Sequence, residues 1–148
     1  MKKHGLTMAQ QIAQTIRVFQ EQQTGHPPKT VNVALSDNNT LVVTLHDVLS
    51  PAEKALAQTA EGAIQVQEFH RQLFKSRVEV LGREIRRITG IEVGEAAAEV
   101  EPSTGAVVHT FSSGTMVQVF RLSGSISVDA WHGIPPRSYP DETKTETC

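Results

Sequence analysis

Six histidines, His4, His26, His46, His70, His109 and His132, are the residues best suited to hold a metal ion. A helical zinc site needs two of them four residues apart, and no pair has that spacing. The single cysteine, Cys148, cannot supply a thiolate set or an internal disulfide. His46 followed by Asp47 comes nearest to a ligand pair, and the pattern favours ordinary surface or half-buried imidazoles. Nucleophilic catalysis needs an activated Ser, Cys or Lys beside a base. Ser112-Ser113-Gly114 and Ser123-Gly124-Ser125 read as turns and lack the glycine flanks of a nucleophile elbow. No glycine-rich phosphate loop occurs. Gly25-His26-Pro27-Pro28-Lys29-Thr30 has a superficial likeness to one, but it leads into a strand, so the field of a helix N-terminus is missing. The residues therefore point to a protein that is not an enzyme and takes no metal or cofactor.

The remaining chemistry is charge. Arg71, Lys75, Arg83, Arg86 and Arg87 fall broadly on one side of a helix at 100° per residue, and Lys29 follows the proline loop. If Lys29 lies near them, an anion-binding patch forms, suited to an acidic protein partner or a nucleic-acid backbone. Against nucleic acid, one Trp, one Tyr and five Phe leave few platforms for base stacking. Carboxylates are interleaved with the cations. Glu79 and Arg83 are spaced i, i+4, and Glu68 and Arg71 i, i+3, so weak surface pairs are expected. The net charge of −2 gives no global bias towards polyanions.

These side chains need positioning elements. Thr7-Met8-Ala9-Gln10 is a capping box ahead of an amphipathic helix with Ile12, Ile16 and Phe19 on its apolar stripe, ending before Gly25. His26, Pro27 and Pro28 continue the loop that Gly25 opens. Val31, Val33 and Leu35, then Leu41, Val43 and Leu45, alternate with wetter residues and make a hairpin around Asp37-Asn38-Asn39. Ser50, Pro51 and Glu53 are the N-cap, first position and box-closing residue of a short helix. A long helix follows from about Glu61 to Thr89, with Phe69, Leu73, Phe74, Val78, Leu81, Ile85 and Ile88 as its stripe and Gly90 as a left-handed cap. Period-two segments then run from Ile91 to about Glu101, over Val107–Phe111, and from Thr115 to Leu122. A long helix must bury its stripe, so the expected fold is α+β. It has a small antiparallel sheet of two hairpins with the helices on one face, in the order α-β-β-α-α-β-β(-β). The expected domain covers residues 5–122. Residues 123–148, rich in Pro, Asp, Glu, Thr and Lys, are expected to be a disordered tail on which Trp131 alone could dock.

The stretch from Met8 to Phe111 resembles the MpsC-like family, named after component C of a sodium-translocating, membrane-potential-generating system. The resemblance rests on "GHPPKTVNV", "LVVTLHDVLSPAEKAL", Glu61-Gly62, "FHRQLF" and "RITGIEV", with Ser50 to Lys54 as the most specific run. The family's loop usually reads Gly-Arg-Gly-Pro or similar, where this chain has Gly25-His26-Pro27-Pro28, so no arginine role carries over there. The strand and tail after Phe111 look additional to the family domain. The resemblance implies an accessory or regulatory subunit that docks on another protein, such as a membrane transport subunit, in a sodium- or bicarbonate-linked energising assembly. A nucleic-acid-binding module is the alternative. No apolar run approaches the roughly 20 residues that span a bilayer. Nor does an apolar core follow Met1-Lys2-Lys3-His4-Gly5. The expected location is cytoplasmic, peripheral to a membrane through a partner. A short sheet with open edges also favours a homodimer.

Overall fold

The computed structural model describes residues 5–101 and 114–134. Helix α1 spans Met8–Thr24, with the Thr7–Gln10 capping box formed and Gly25 in the left-handed conformation at its end. Strands β1 (Thr30–Ser36) and β2 (Thr40–His46) pair antiparallel from Thr30↔His46 to Ser36↔Thr40. Asp37 and Asn38 turn the chain at φ 54° and 62°, a conformation that Asp and Asn adopt more readily than other side-chain-bearing residues. Helix α2 (Pro51–Leu56) starts from the Ser50–Glu53 box. Helix α3 runs over Ala60–Thr89 from a Thr59 N-cap to Gly90 at φ 82°. Strand β3 (Val93–Glu101), strand β4 (Thr115–Leu122) and the short helix α4 (Val128–Trp131) complete the described chain.

The class is α+β, as the patterning predicts: the described residues form one four-stranded antiparallel sheet in the order β1-β2-β4-β3. Helix α1 packs over β1 and α3 over β3, with α1 and α3 touching one another. Between helices and sheet lie Ile12, Ile16, Leu41, Val43, Leu45, Phe74, Leu81, Ile85, Met116 and Phe120, all buried. Each such side chain contributes about 1.5–3 kcal/mol through burial. Phe74 and Phe120 join the layers, with ring centroids 5.7 Å apart.

The structure departs from the sequence reading in three places. Phe69 is 48% exposed, and His70 takes its position in the buried stripe. The reason is spacing: Val66, His70 and Phe74 recur every four residues, while Phe69 is five residues before Phe74 and about 140° from it. The pattern also does not dissolve at Ser123. Ile126 and Trp131 are buried, Ile126 donates its N–H to Asn38 O at 2.8 Å, and α4 packs on α1. The expectation of disorder thus fails for residues 123–134, because two apolar side chains find cover that a local window does not reveal. Third, β4 is no appendage: it lies between β2 and β3. The expected strand over Val107–Phe111, the turn from Pro102 to Gly105, and the tail beyond residue 134 with Cys148 lie outside the described residues.

Candidate functional site

The cations singled out on α3 do not all gather. Arg83 and Arg86 stand over β3 and line an open groove of roughly 460 Å³ with Glu79, Glu92 and Glu95. Val78, Gly82, Val93 and Ala96 form its apolar lining. Position determines this: residues 79, 82, 83 and 86 share the edge of α3 that overhangs β3. Among the described residues the expected Glu79–Arg83 ion pair is not formed, and both residues line the groove instead. Arg86 reaches Glu92 at 3.4 Å. Arg71, about four turns before Arg86, bridges to β3 by donating to both oxygens of Glu99, at 2.9 and 3.3 Å, and to Glu68 at 2.9 Å. The Glu68 carboxyl is held below its usual range, first by the hydrogen bond from Gln72, then by that from Arg71, with Lys75 adding a weaker attraction. Arg87 points off this face and pairs with Glu84 at 2.9 Å.

Lys29 belongs to a different place. It precedes β1 at the opposite edge of the sheet from β3, about 14 Å away across three strand spacings. The cations therefore form no single anion patch with Lys29. Three of the five on α3 have carboxylate partners, so the surface is a mixed-charge strip rather than the positive stripe that a phosphate backbone needs.

The proline loop is tied down by Arg17, a residue that the sequence reading passed over. Its guanidinium donates to Pro28 O at 2.7 Å and to Lys29 O at 3.3 Å. His26 Nε2 lies 3.1 Å from Asp47 O. Gly25 thus opens a loop whose carbonyls are held by α1 and whose imidazole is held by the end of β2.

A second polar constellation, also unforeseen, lies inside. Glu53 was expected to close the α2 capping box, and its Oε1 does accept from Ser50 N at 2.8 Å. Its other oxygen, Oε2, is 2.9 Å from Nε2 of His70, which is 2% exposed. Burial is the largest single influence on the Glu53 carboxyl and pushes it up. The hydrogen bond to His70, the Ser50 N–H and the attraction of His70 outweigh burial and hold the group below the ordinary range. Among the described residues, His70 Nδ1 and Gln118 Oε1 have no hydrogen-bond partner. Both residues line an internal space of about 10 Å³ beside Gln20 and Met116, close to the volume that admits one water. The spacing of α3 could have revealed this, since His70 falls on its apolar stripe. Nothing local to residue 70 names Glu53 as its partner.

Among the described residues no group of three His, Cys, Asp or Glu side chains gathers around a point where a metal could sit. No helix among them is long and apolar enough to cross a membrane. The family model described as "Na+-translocating membrane potential-generating system (MpsC)" matches residues 5–113. The chain belongs to the MpsC family. No match was found among curated proteins or among solved structures. The MpsC match takes in α1, the β1–β2 hairpin, both central helices and β3. It therefore includes the proline loop, the Glu53–His70 pair and the whole α3–β3 groove. It stops short of β4, which begins at Thr115. Membership in the MpsC family supports a role in a sodium-linked membrane-potential system.

Proposed function

We propose that this MpsC-family chain is a non-catalytic accessory protein, located in the cytoplasm. It docks on a protein subunit of a sodium-linked, membrane-energising assembly through the groove between α3 and β3. The observation that carries this reading is the make-up of the groove within the family-matched stretch. Small apolar residues form its lining, together with two cations, Arg83 and Arg86, and three carboxylates, Glu79, Glu92 and Glu95. Apolar contact combined with charged groups is the anatomy of a protein–protein interface, and charges of both signs set register and exclude wrong partners. The mixed signs favour a protein partner over a nucleic acid, whose phosphates would meet Glu79, Glu92 and Glu95.

The test is a pull-down from membranes of the native host with the full chain and with an Arg83→Glu/Arg86→Glu variant. Recovery of a membrane transport subunit by the parent chain and its loss with the variant is the expected result. Recovery of no such subunit at endogenous levels, or equal recovery by both chains, would overturn the reading.

A further inference from the structure

The two edges of the sheet are built differently. Along β3 and its approach, Glu92, Glu95 and Glu99 add negative charge, and the register shifts between Val93 and Glu95. Charge and irregularity are devices that keep a strand edge from pairing with another chain. On β1 the sequence is Thr30-Val31-Asn32-Val33-Ala34-Leu35-Ser36, without a charge, proline or glycine. Its pairing with β2 runs through seven residues without a shift. On its other side no strand follows among the described residues. It therefore presents a regular, uncharged edge about 23 Å long.

We propose that β1 is the dimerisation edge of this protein, pairing antiparallel with β1 of a second copy to make one continuous eight-stranded sheet. The sequence of the strand is self-complementary in one register. With a two-fold axis through Val33, Thr30 faces Ser36 of the second copy, Val31 faces Leu35, Asn32 faces Ala34, and Val33 faces its own equivalent. All seven residues pair. Val31, Val33 and Leu35, which point to the helix layer and are only partly buried in one chain, then continue the apolar layer across the junction. A slip of one residue would set Asn32 and Ala34 against that layer, and a slip of two would leave only five residues paired, so alternation and length together select the register. The groove between α1 and this edge fits the same arrangement. It measures roughly 290 Å³, is lined by Leu6, Gln10, Ala13, Gln14, Arg17 and Val31, and lies where the second α1 would approach. The lining has one cation, Arg17, and its guanidinium is engaged with the proline loop, so no like charges are forced together. A strip of this length and two layers deep buries on the order of 1,000 Å² in total, near the lower bound for a specific interface. The dimer is accordingly in reversible equilibrium with monomer.

Asn32 and Ala34 are exposed and point away from the helices, so both can be replaced without touching the core. In Asn32→Lys/Ala34→Lys, each introduced lysine faces a lysine of the second copy, twice per dimer. In Asn32→Lys/Ala34→Glu, each lysine faces a glutamate. Sedimentation equilibrium on the full chain from about 1 to about 200 μM reads the outcome, with circular dichroism to confirm that each variant is folded. The parent chain is expected to shift from monomer to dimer with concentration, the double-lysine variant to stay monomeric, and the lysine–glutamate variant to dimerise again. A parent chain that is monomeric throughout, a double-lysine variant that dimerises like the parent, or two variants that behave alike would overturn the proposal.

Discussion

His70 and Arg71 are neighbours on α3, each with a carboxylate partner at 2.9 Å, yet their surroundings are opposite. The imidazole of His70 is 2% exposed, while the Arg71 side chain and its partner Glu99 are 43% and 63% exposed. One step of the helix carries the first into the core and the second to water. Distance alone would rank the pairs as equals. Burial ranks them otherwise, because a buried polar group stripped of its partner keeps its desolvation cost, whereas an exposed one turns to solvent.

The largest effect should come from breaking the contact that brings the buried pair together. At Gly62, where α3 begins beside the end of α2, an added Cβ would stand 1.8 Å from Leu56 O and 2.8 Å from Leu56 C, both backbone atoms that cannot swing aside. Gly62→Ala should therefore displace α2, carry Glu53 away from His70, and cost about 3 kcal/mol or more in urea unfolding. A stability within error of the parent would show that α2 is not held as described.

Next comes the pair itself. Glu53→Ala removes the capping box and leaves the imidazole buried with neither nitrogen bonded, at about 2–4 kcal/mol. His70→Leu should cost less, about 1–2 kcal/mol: it leaves Glu53 Oε2, on a side chain 16% exposed, without its partner, but it removes the buried ring along with its unpartnered Nδ1 and keeps Glu53 capping α2. The reverse order would mean that the ring matters for its packing more than for its bond.

A smaller effect follows from titration. The Glu53 carboxyl is depressed in the folded chain. Its stabilising contribution is thus complete above its unfolded value and lost as pH falls through the folded one. Urea midpoints of the parent should decline below about pH 4.5, and Glu53→Gln should flatten that part of the decline. An unchanged slope would sink the assignment. Smallest of all, Arg71→Ala should leave the urea midpoint almost unmoved, and about 0.5 M salt should erase any difference. A clear loss that persists in salt would make the Arg71–Glu99 bridge a structural clamp between α3 and β3.

Much of the local structure was legible in the sequence. Ser50, Pro51 and Glu53, the Thr7 box, and Gly25 and Gly90 at helix ends all behave as their types require, because a cap is satisfied within three or four residues. The hairpin around Asp37 and Asn38 was legible for the same reason. The site was harder to read. The stripe of cations on α3 was visible, but its division between the β3 groove, the Glu99 bridge and the Glu84 pair was not, because that depends on where β3 passes. Arg17 was missed, since the carbonyls it holds are eleven and twelve residues away. Trp131 stood out as the one residue of the tail able to dock, whereas Ile126, between Ser125 and Ser127, shows no period, and only its cover on the folded chain identifies it as core.

Read alone, the amino-acid order determined the helices and strands from α1 to α3 and the period-two segments of β3 and β4, the caps that begin and end those helices, and the α+β class that a long apolar stripe demands, but not α4. Tertiary structure alone decided that β4 enters between β2 and β3, that His70 meets Glu53, that Lys29 and the α3 cations lie at opposite edges, and that the irregular, charged β3 and the regular, uncharged β1 are the two outer strands of the described sheet. The division has a physical cause. Capping and periodicity are satisfied by neighbours along the chain, whereas strand order and side-chain partners are set by contacts that close only when the whole sheet is assembled.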